Sequence, residues 1–420
     1  MKIRTLMLGW EFPPFISGGL GTACYGLTKA MSRLGMQVTF LLPRMHALRF
    51  TAGELDTPLD LTARALADVR SQPLSTAVGA YGSCGPAPFA RRLTAAAEAE
   101  LSDEPGTGPA PYGPDIREEI RRYAIKVLKI GRSEPFDVIH AHDWMTFPAG
   151  IALAASSGRP LVVQVHSTEF DRSGEHVNQF VYDIERQGMH AAARVIAVSY
   201  YTRNMIVNRY AVHPAKIDVV YNGIELADSN EVQPQLPQPA RRDKVVLFLG
   251  RITMQKGPEY FLQAAKRVLE KVENVKFIMA GDGDRLYGTI EQAAWLGIGH
   301  RVFFTRFLRG ADVDRAYRMA DLYVMPSVSE PFGIAPLEAL QHDVPVLISR
   351  QSGIAEAFRN ALKVDFWDTD EMANKIIAVL RHSPLQEMLR TNGRQEARTF
   401  RWADSAAKVN TVYHKVLSAA

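Results

Sequence analysis

A chain of 420 residues, 47% hydrophobic and 22% charged, is longer than one hydrophobic core comfortably serves, so two domains are expected. A net charge of only +4 gives no general attraction for nucleic acid or a membrane surface. The two cysteines, Cys24 and Cys84, exclude a disulfide scaffold, and no apolar run reaches the eighteen or so residues of a membrane span.

In chain order, "RTLMLG" predicts a first strand, "GTACYGLTKAMSRLG" a helix ending at Gly35, and "QVTFLLP" a second strand. The start "MKIRTLMLGWEFPP" has no apolar core of a secretion signal, so a cytoplasmic location is expected. From residue 44 to 115 the periodicity fades into Ala, Pro and Gly, which predicts a mobile insertion with a few helical turns. Alternation resumes with a basic amphipathic helix at Ile116–Ile130, whose apolar positions suit packing on a sheet better than a membrane surface. Strand "DVIHAH", helix "TFPAGIALAASS", strand "PLVVQVH", helix "NQFVYDIERQGMHAAA" and strand "RVIAVS" follow.

The polar, Pro-rich segment 227–243 predicts a linker. Beyond it strands "KVVLFLG", "VKFIMAG", "VFFT", "DLYVMP" and "VPVLIS" alternate with helical stretches, and a last helix, "FRWADSAAKVNTVYHKVL", closes the chain. Apolar strands separated by helices mean parallel sheets covered on both faces. The expected fold is α/β: two Rossmann-like parallel-sheet domains facing a central cleft.

Three groups of residues stand at strand ends, where such sheets bind ligands. Gly18 and Gly19 of "SGGLG" allow close backbone approach, and the helix start after them favours an anion. Arg251 and Lys256 of "GRITMQKG" place two cations before a helix opened by Pro258, a setting for a pyrophosphate. His142 in "HAHDW" and His166 in "VHSTE" form a sugar-binding rim to which Asp143 and Trp144 belong. His140 and His142 have strand spacing for one face, but no third residue with metal-site spacing follows them, so no metal is expected. Asp-x-Asp occurs three times, a frequency that suggests chance. In "SEPFGIAPLEAL", Glu330 lies in a strand-to-helix loop and Glu338 two turns down the helix.

Together, "SGGLG", "HAHDW", "VHSTEF", "VYNGI", "GRITMQKG", "AGDGD" and "SEPFGIAPLEAL" resemble the retaining GT-B glycosyltransferases, within them the glycogen and starch synthase-like branch. The resemblance implies that Arg251 and Lys256 hold a donor diphosphate and Glu338 the ribose hydroxyls. It sets Glu330 on the donor sugar and His166 at the sugar's reacting face. The N–H groups of Phe332, Gly333 and Ile334 point to sugar and phosphate, and Gly18 and Gly19 lie under the diphosphate. It also implies an acceptor-side domain at 1–226, a donor domain at 244–400 and a helix at 401–420 crossing back to the first domain.

The implied reaction moves a glucosyl or related hexosyl unit from ADP-glucose or UDP-glucose to a saccharide acceptor such as an α-glucan, with retention and without a cofactor. The mechanism implied is front-face attack with the leaving phosphate as base; covalent attack by Glu330 or Asp143 is the alternative. Ile16 departs from the lysine that ADP-glucose-using synthases resemble at this loop, so the donor base stays open. An epimerase of the same fold, a hexosyltransferase with a non-glucan acceptor, and a nucleotide-sugar-binding regulator without turnover are the rival readings. Product without an acceptor would mark the epimerase; intact Arg251, Lys256, Glu330 and Glu338 argue against the regulator.

Overall fold

The computed structural model describes residues 2–13, 18–43, 48–50, 116–225 and 243–418. Ile16, Ser17, residues 51–115 of the expected insertion and nearly all of the expected linker lie outside them. The first sheet runs β3-β2-β1-β4-β5-β6-β7, and the second β10-β9-β8-β11-β12-β13. Every pairing is parallel except β2 with β3 (Leu48–Phe50), an antiparallel edge strand where insertion was expected.

In the first sheet, β1 (Arg4–Leu8) and β4 (Val138–His142) are central, flanked by β2 (Gln37–Leu41) and β5 (Leu161–Val165). β4 and β5 are buried at every position, as apolar strands covered on both faces must be. β6 (Arg194–Ala197) and the three-residue β7 (Ile217–Val219) complete that side. The helix Ile116–Gly131 turns Ile120, Tyr123, Ala124, Val127 and Leu128 inward, so its apolar stripe covers the sheet. The Tyr123 hydroxyl donates to the Leu41 carbonyl at 2.9 Å.

The second sheet repeats the plan, with β8 (Lys244–Leu249) and β11 (Leu322–Met325) central. β9 (Val275–Ala280) and β10 (Val302–Arg306) lie on one side; β12 (Val346–Ser349) and β13 (Leu362–Val364) lie on the other. In each sheet the chain reverses its winding once, between β1 and β4 and between β8 and β11.

The last helix, Trp402–Ser418, packs on the first sheet, pressing Trp402, Val409, Val412, Tyr413 and Val416 onto α1 (Gly19–Arg33) and its neighbours. A Cβ on Gly26 of α1 would come within 2.3 Å of the Trp402 ring, so only glycine lets these two helices approach. The domains also meet directly. Ser199 and Thr202 hydroxyls donate to the Pro331 carbonyl at 2.5 and 3.2 Å. The Glu356 carboxylate accepts from the N–H groups of Tyr200 and Tyr201, at 2.6 and 2.8 Å, and so caps the helix Tyr200–Tyr210 from the other domain. Among the described residues no helix is long and apolar enough to cross a membrane.

Candidate active site

The loops after β1, β4 and β5 of the first sheet and after β8 and β11 of the second hold the candidate residues. After β1, Gly18 is extended and Gly19 opens α1; a Cβ at either would meet nothing within 4 Å. Packing therefore does not demand glycine there, and the open space beside the backbone is what the two residues provide.

After β4 and β5 come the histidines. His140 and His142 stack at 4.3 Å, as strand spacing requires, and His142 faces His166 with Nδ1 and Nε2 2.9 Å apart. His140 Nδ1 lies 2.6 Å from the Tyr413 hydroxyl, which ties this row to the last helix. His142 and Asp143 are buried, whereas His166 keeps a partly open side. The expected rim therefore does not expose His142 and Asp143: His142 is stacked between His140 and His166 near Cys24, and Asp143 is held by the N–H groups of the loop after β5. Trp144, half-buried, spends its ring edge-on against Phe180 at 6.4 Å.

Burial holds all three imidazoles neutral, His140 and His166 down to about 3 and His142 well below its ordinary value. His142 Nε2 is buried and has no partner among the described residues. An orphaned lone pair costs less than an orphaned N–H, so the His142 proton sits on Nδ1 and is donated to His166 Nε2. That leaves the proton of His166 on its Nδ1.

Asp143 adopts φ 59°, in the left-handed region that asparagine and aspartate tolerate best. There its carboxylate accepts from the His166 N–H at 2.7 Å and the Ser167 N–H at 3.4 Å, fastening the β5 loop to the β4 loop. Burial still pushes Asp143 up to about 7, against these two donors and Arg172.

In the second domain, the β8 loop carries an exposed Arg251 and a single 3-10 turn, Met254–Lys256. Gly257 follows at φ 65°, where a Cβ would meet the Pro326 carbonyl at 2.2 Å. Lys256 Nζ and Glu330 Oε2 lie 2.5 Å apart, both side chains mostly buried, and Ser327 donates to the same carboxylate oxygen at 3.2 Å. The backbone of Glu330 is anchored as well, its N–H donating to the Gln351 carbonyl and its carbonyl accepting from Gly353.

Gly333 follows at φ 104°, a conformation only glycine adopts readily. The N–H groups of Phe332, Gly333 and Ile334 donate to no described acceptor. The Phe332 side chain itself is core, stacked on Tyr221 at 5.7 Å. One helix further, the partly buried Glu338 accepts from the Tyr317 hydroxyl at 3.0 Å. Desolvation pushes its carboxyl up, while Tyr317 and His342 pull it back.

The two loop sets touch. Ser329, next to Glu330, donates to Asp171 and meets the Tyr201 hydroxyl at 3.0 Å. Sequence patterns gave no sign of Asp171, Tyr201, Ser327 or Tyr317, since each acts through hydrogen bonds that only the tertiary fold creates. Cys24 also went unassigned; it is buried in α1 beside the histidines. The strand-end loops of the second domain thus carry two cations, three N–H groups without a described acceptor and two carboxylates, and those of the first carry a neutral imidazole and an open glycine pair. Such an array suits a molecule with hydroxyls at both ends and phosphates between.

Comparison with known proteins bears on which family builds this array. Residues 87–228 match the family described as Glycosyltransferase Family 4, and residues 230–396 match Glycosyl transferases group 1. An uncharacterized glycosyltransferase of Methanocaldococcus jannaschii is 29% identical over 98% of both chains. A glycogen synthase of Mycobacterium tuberculosis is 27% identical over 85% of this chain and 80% of that one. Among solved structures, Anabaena HepE in complex with UDP-glucose superposes with a TM-score of 0.68 at 18% identity, covering all of both chains. Each of the two Rossmann-like domains thus matches a glycosyltransferase family over its own segment, and together they have the GT-B fold of the solved neighbours.

Proposed function

We propose that the protein is a retaining glycosyltransferase that moves a glucosyl or related hexosyl unit from a nucleoside diphosphate sugar to a saccharide acceptor. The observation that carries this reading is the placement of the candidates. Gly18 and Gly19 after β1 and His142 at the end of β4 flank the winding reversal of the first sheet, with His166 one strand further after β5, and Arg251, Lys256 and Glu330 flank that of the second. Ligands of open α/β sheets bind at such reversals. The UDP-glucose bound by the HepE neighbour supports a nucleotide-sugar donor, and the glycogen synthase relative supports an α-glucan acceptor.

In this reading the bond from the anomeric carbon to the β-phosphate oxygen breaks, and negative charge grows on the phosphate. Arg251, Lys256 and the N–H groups of Phe332, Gly333 and Ile334 receive that charge. The acceptor oxygen bonds to the anomeric carbon on the face the phosphate leaves, and its proton passes to the departing phosphate oxygen. Glu338 holds the ribose, Glu330 the sugar, and His166 donates from Nδ1 to a sugar oxygen. The two cations do the work a metal ion does in other transferases, so no metal takes part in the step. We place this work in the cytoplasm.

The test is a thermal-shift screen of ADP-, UDP- and GDP-glucose, followed by turnover of the best binder with malto-oligosaccharides. A shifted melting temperature and an α-linked product support the proposal. Conversion of the sugar nucleotide without acceptor would mark an epimerase, and no shift with any donor would overturn the donor assignment.

A further inference from the structure

Cys24 from α1, His142 from the end of β4 and His166 after β5 converge so that one ligand atom of each lies within 4.8 Å of the other two. We propose that these three side chains form a binding site for a soft divalent cation, zinc in particular, whose occupation switches the transferase off. The inhibition rests on the role given above to His166; the binding does not.

Several features beyond proximity support the site. A thiolate and two neutral imidazoles are the donor set zinc prefers, and they discriminate against magnesium and manganese; burial and the nearby Asp143 hold the Cys24 thiol protonated, so the cation must displace that proton. Both histidines are already held neutral by burial, so their lone pairs need no deprotonation. His142 is fully buried, and among the described residues its Nε2 lone pair has no partner. Cys24 is likewise buried and free. His166 alone is partly open, so an ion would enter from the cleft and keep its fourth position toward it.

The balance is simple. The cation takes one lone pair from each imidazole and one from sulfur, and the Cys24 proton leaves to solvent. The hydrogen bond between His142 and His166 is given up. Ligation at Nε2 leaves the Nδ1 proton in place but draws the His166 ring off His142 and onto the cation, so that proton is turned away from the sugar and turnover stops.

The experiment uses the full chain after chelator treatment and gel filtration. Cobalt(II) titration should give one equivalent of binding and a sulfur-to-cobalt charge-transfer band in the near ultraviolet. Cys24→Ala should abolish the band, and Cys24→Ser should keep only weak cobalt binding without it. Both variants are checked first for a wild-type melting temperature; if Cys24→Ala does not fold, Cys24→Ser decides. Zinc should inhibit wild-type turnover of UDP-glucose or ADP-glucose, and the Cys24 variants should need roughly tenfold more zinc or above for the same inhibition. No charge-transfer band in the wild type, or equal zinc sensitivity in wild type and variants, overturns the site. A band that depends on Cys24 in a protein that turns over neither donor supports the cation site while removing the transferase reading.

Discussion

Replacing Glu338 with alanine separates binding from folding unusually well. Its carboxylate accepts one protein hydrogen bond, from the Tyr317 hydroxyl, and that hydroxyl lies 3.3 Å from the Ala335 carbonyl as well. Tyr317 therefore keeps an acceptor in the variant, and a partly buried negative charge disappears, so the fold should survive. What is lost is a charged acceptor for the ribose. A hydrogen bond to a charged group contributes about 1.5–3 kcal/mol. At 1.4 kcal/mol per factor of ten, the donor KM should rise roughly ten- to hundred-fold. The ribose is held equally before and during bond cleavage, so kcat should change little. Steady-state kinetics with varied donor, on a variant with a wild-type melting temperature, reads both constants. A folded Glu338→Ala variant with wild-type KM, or one that loses kcat alone, would refute the ribose assignment.

Glu330→Gln should do the opposite: Ser327 and Lys256 can still be hydrogen-bonded, but the charge facing the sugar is gone, so kcat should fall by about 10²–10³-fold with KM little changed; unchanged kcat contradicts the role. Stability should depend on pH through Glu338, whose carboxyl is held above the ordinary range by burial. As pH rises through that window the unfolded chain loses its proton first, so stability falls; Glu338→Gln should match the wild type at low pH and melt higher above the window. Equal melting curves across pH 4–8 would show that the carboxyl is not so perturbed. Glu356→Ala removes the cap that joins the domains, and the free protein should scatter as a more open particle that donor closes again; superimposable scattering curves count against that latch. Chelator should leave turnover unchanged or raise it, and a loss restored by magnesium or manganese would show that transfer needs a metal.

Long elements were legible because their signals are local. The fully apolar β4 and β5, the amphipathic helix Ile116–Gly131 and the helix stop near Gly35, which sits at φ 79°, all follow from periodicity and turn chemistry. β7 and β13 were not read as strands, since "IDV" and "LKV" are too short to carry a pattern and exist because a neighbouring strand offers hydrogen bonds. The motif holding Lys256 and the motif holding Glu330 and Gly333 each foretold a loop, but only the fold shows Lys256 and Glu330 paired across 74 residues. His142 was the instructive miss. Its place at a strand end suggested exposure, yet it is fully buried, stacked between His140 and His166 and close to Cys24 of α1. Cys24 joins the histidines by the same long-range packing, which spacing in the sequence cannot encode.

A structure of the protein with UDP-glucose or ADP-glucose bound tests the donor cradle most directly. The diphosphate should lie within hydrogen-bond distance of Arg251, Lys256 and the Gly333 N–H, with the ribose hydroxyls on Glu338 and the hexose between Glu330 and His166. Lys256 should have left Glu330 for a phosphate oxygen. A nucleotide bound elsewhere in the cleft, with Lys256 still paired to Glu330 and Glu338 still on Tyr317 alone, would contradict the account.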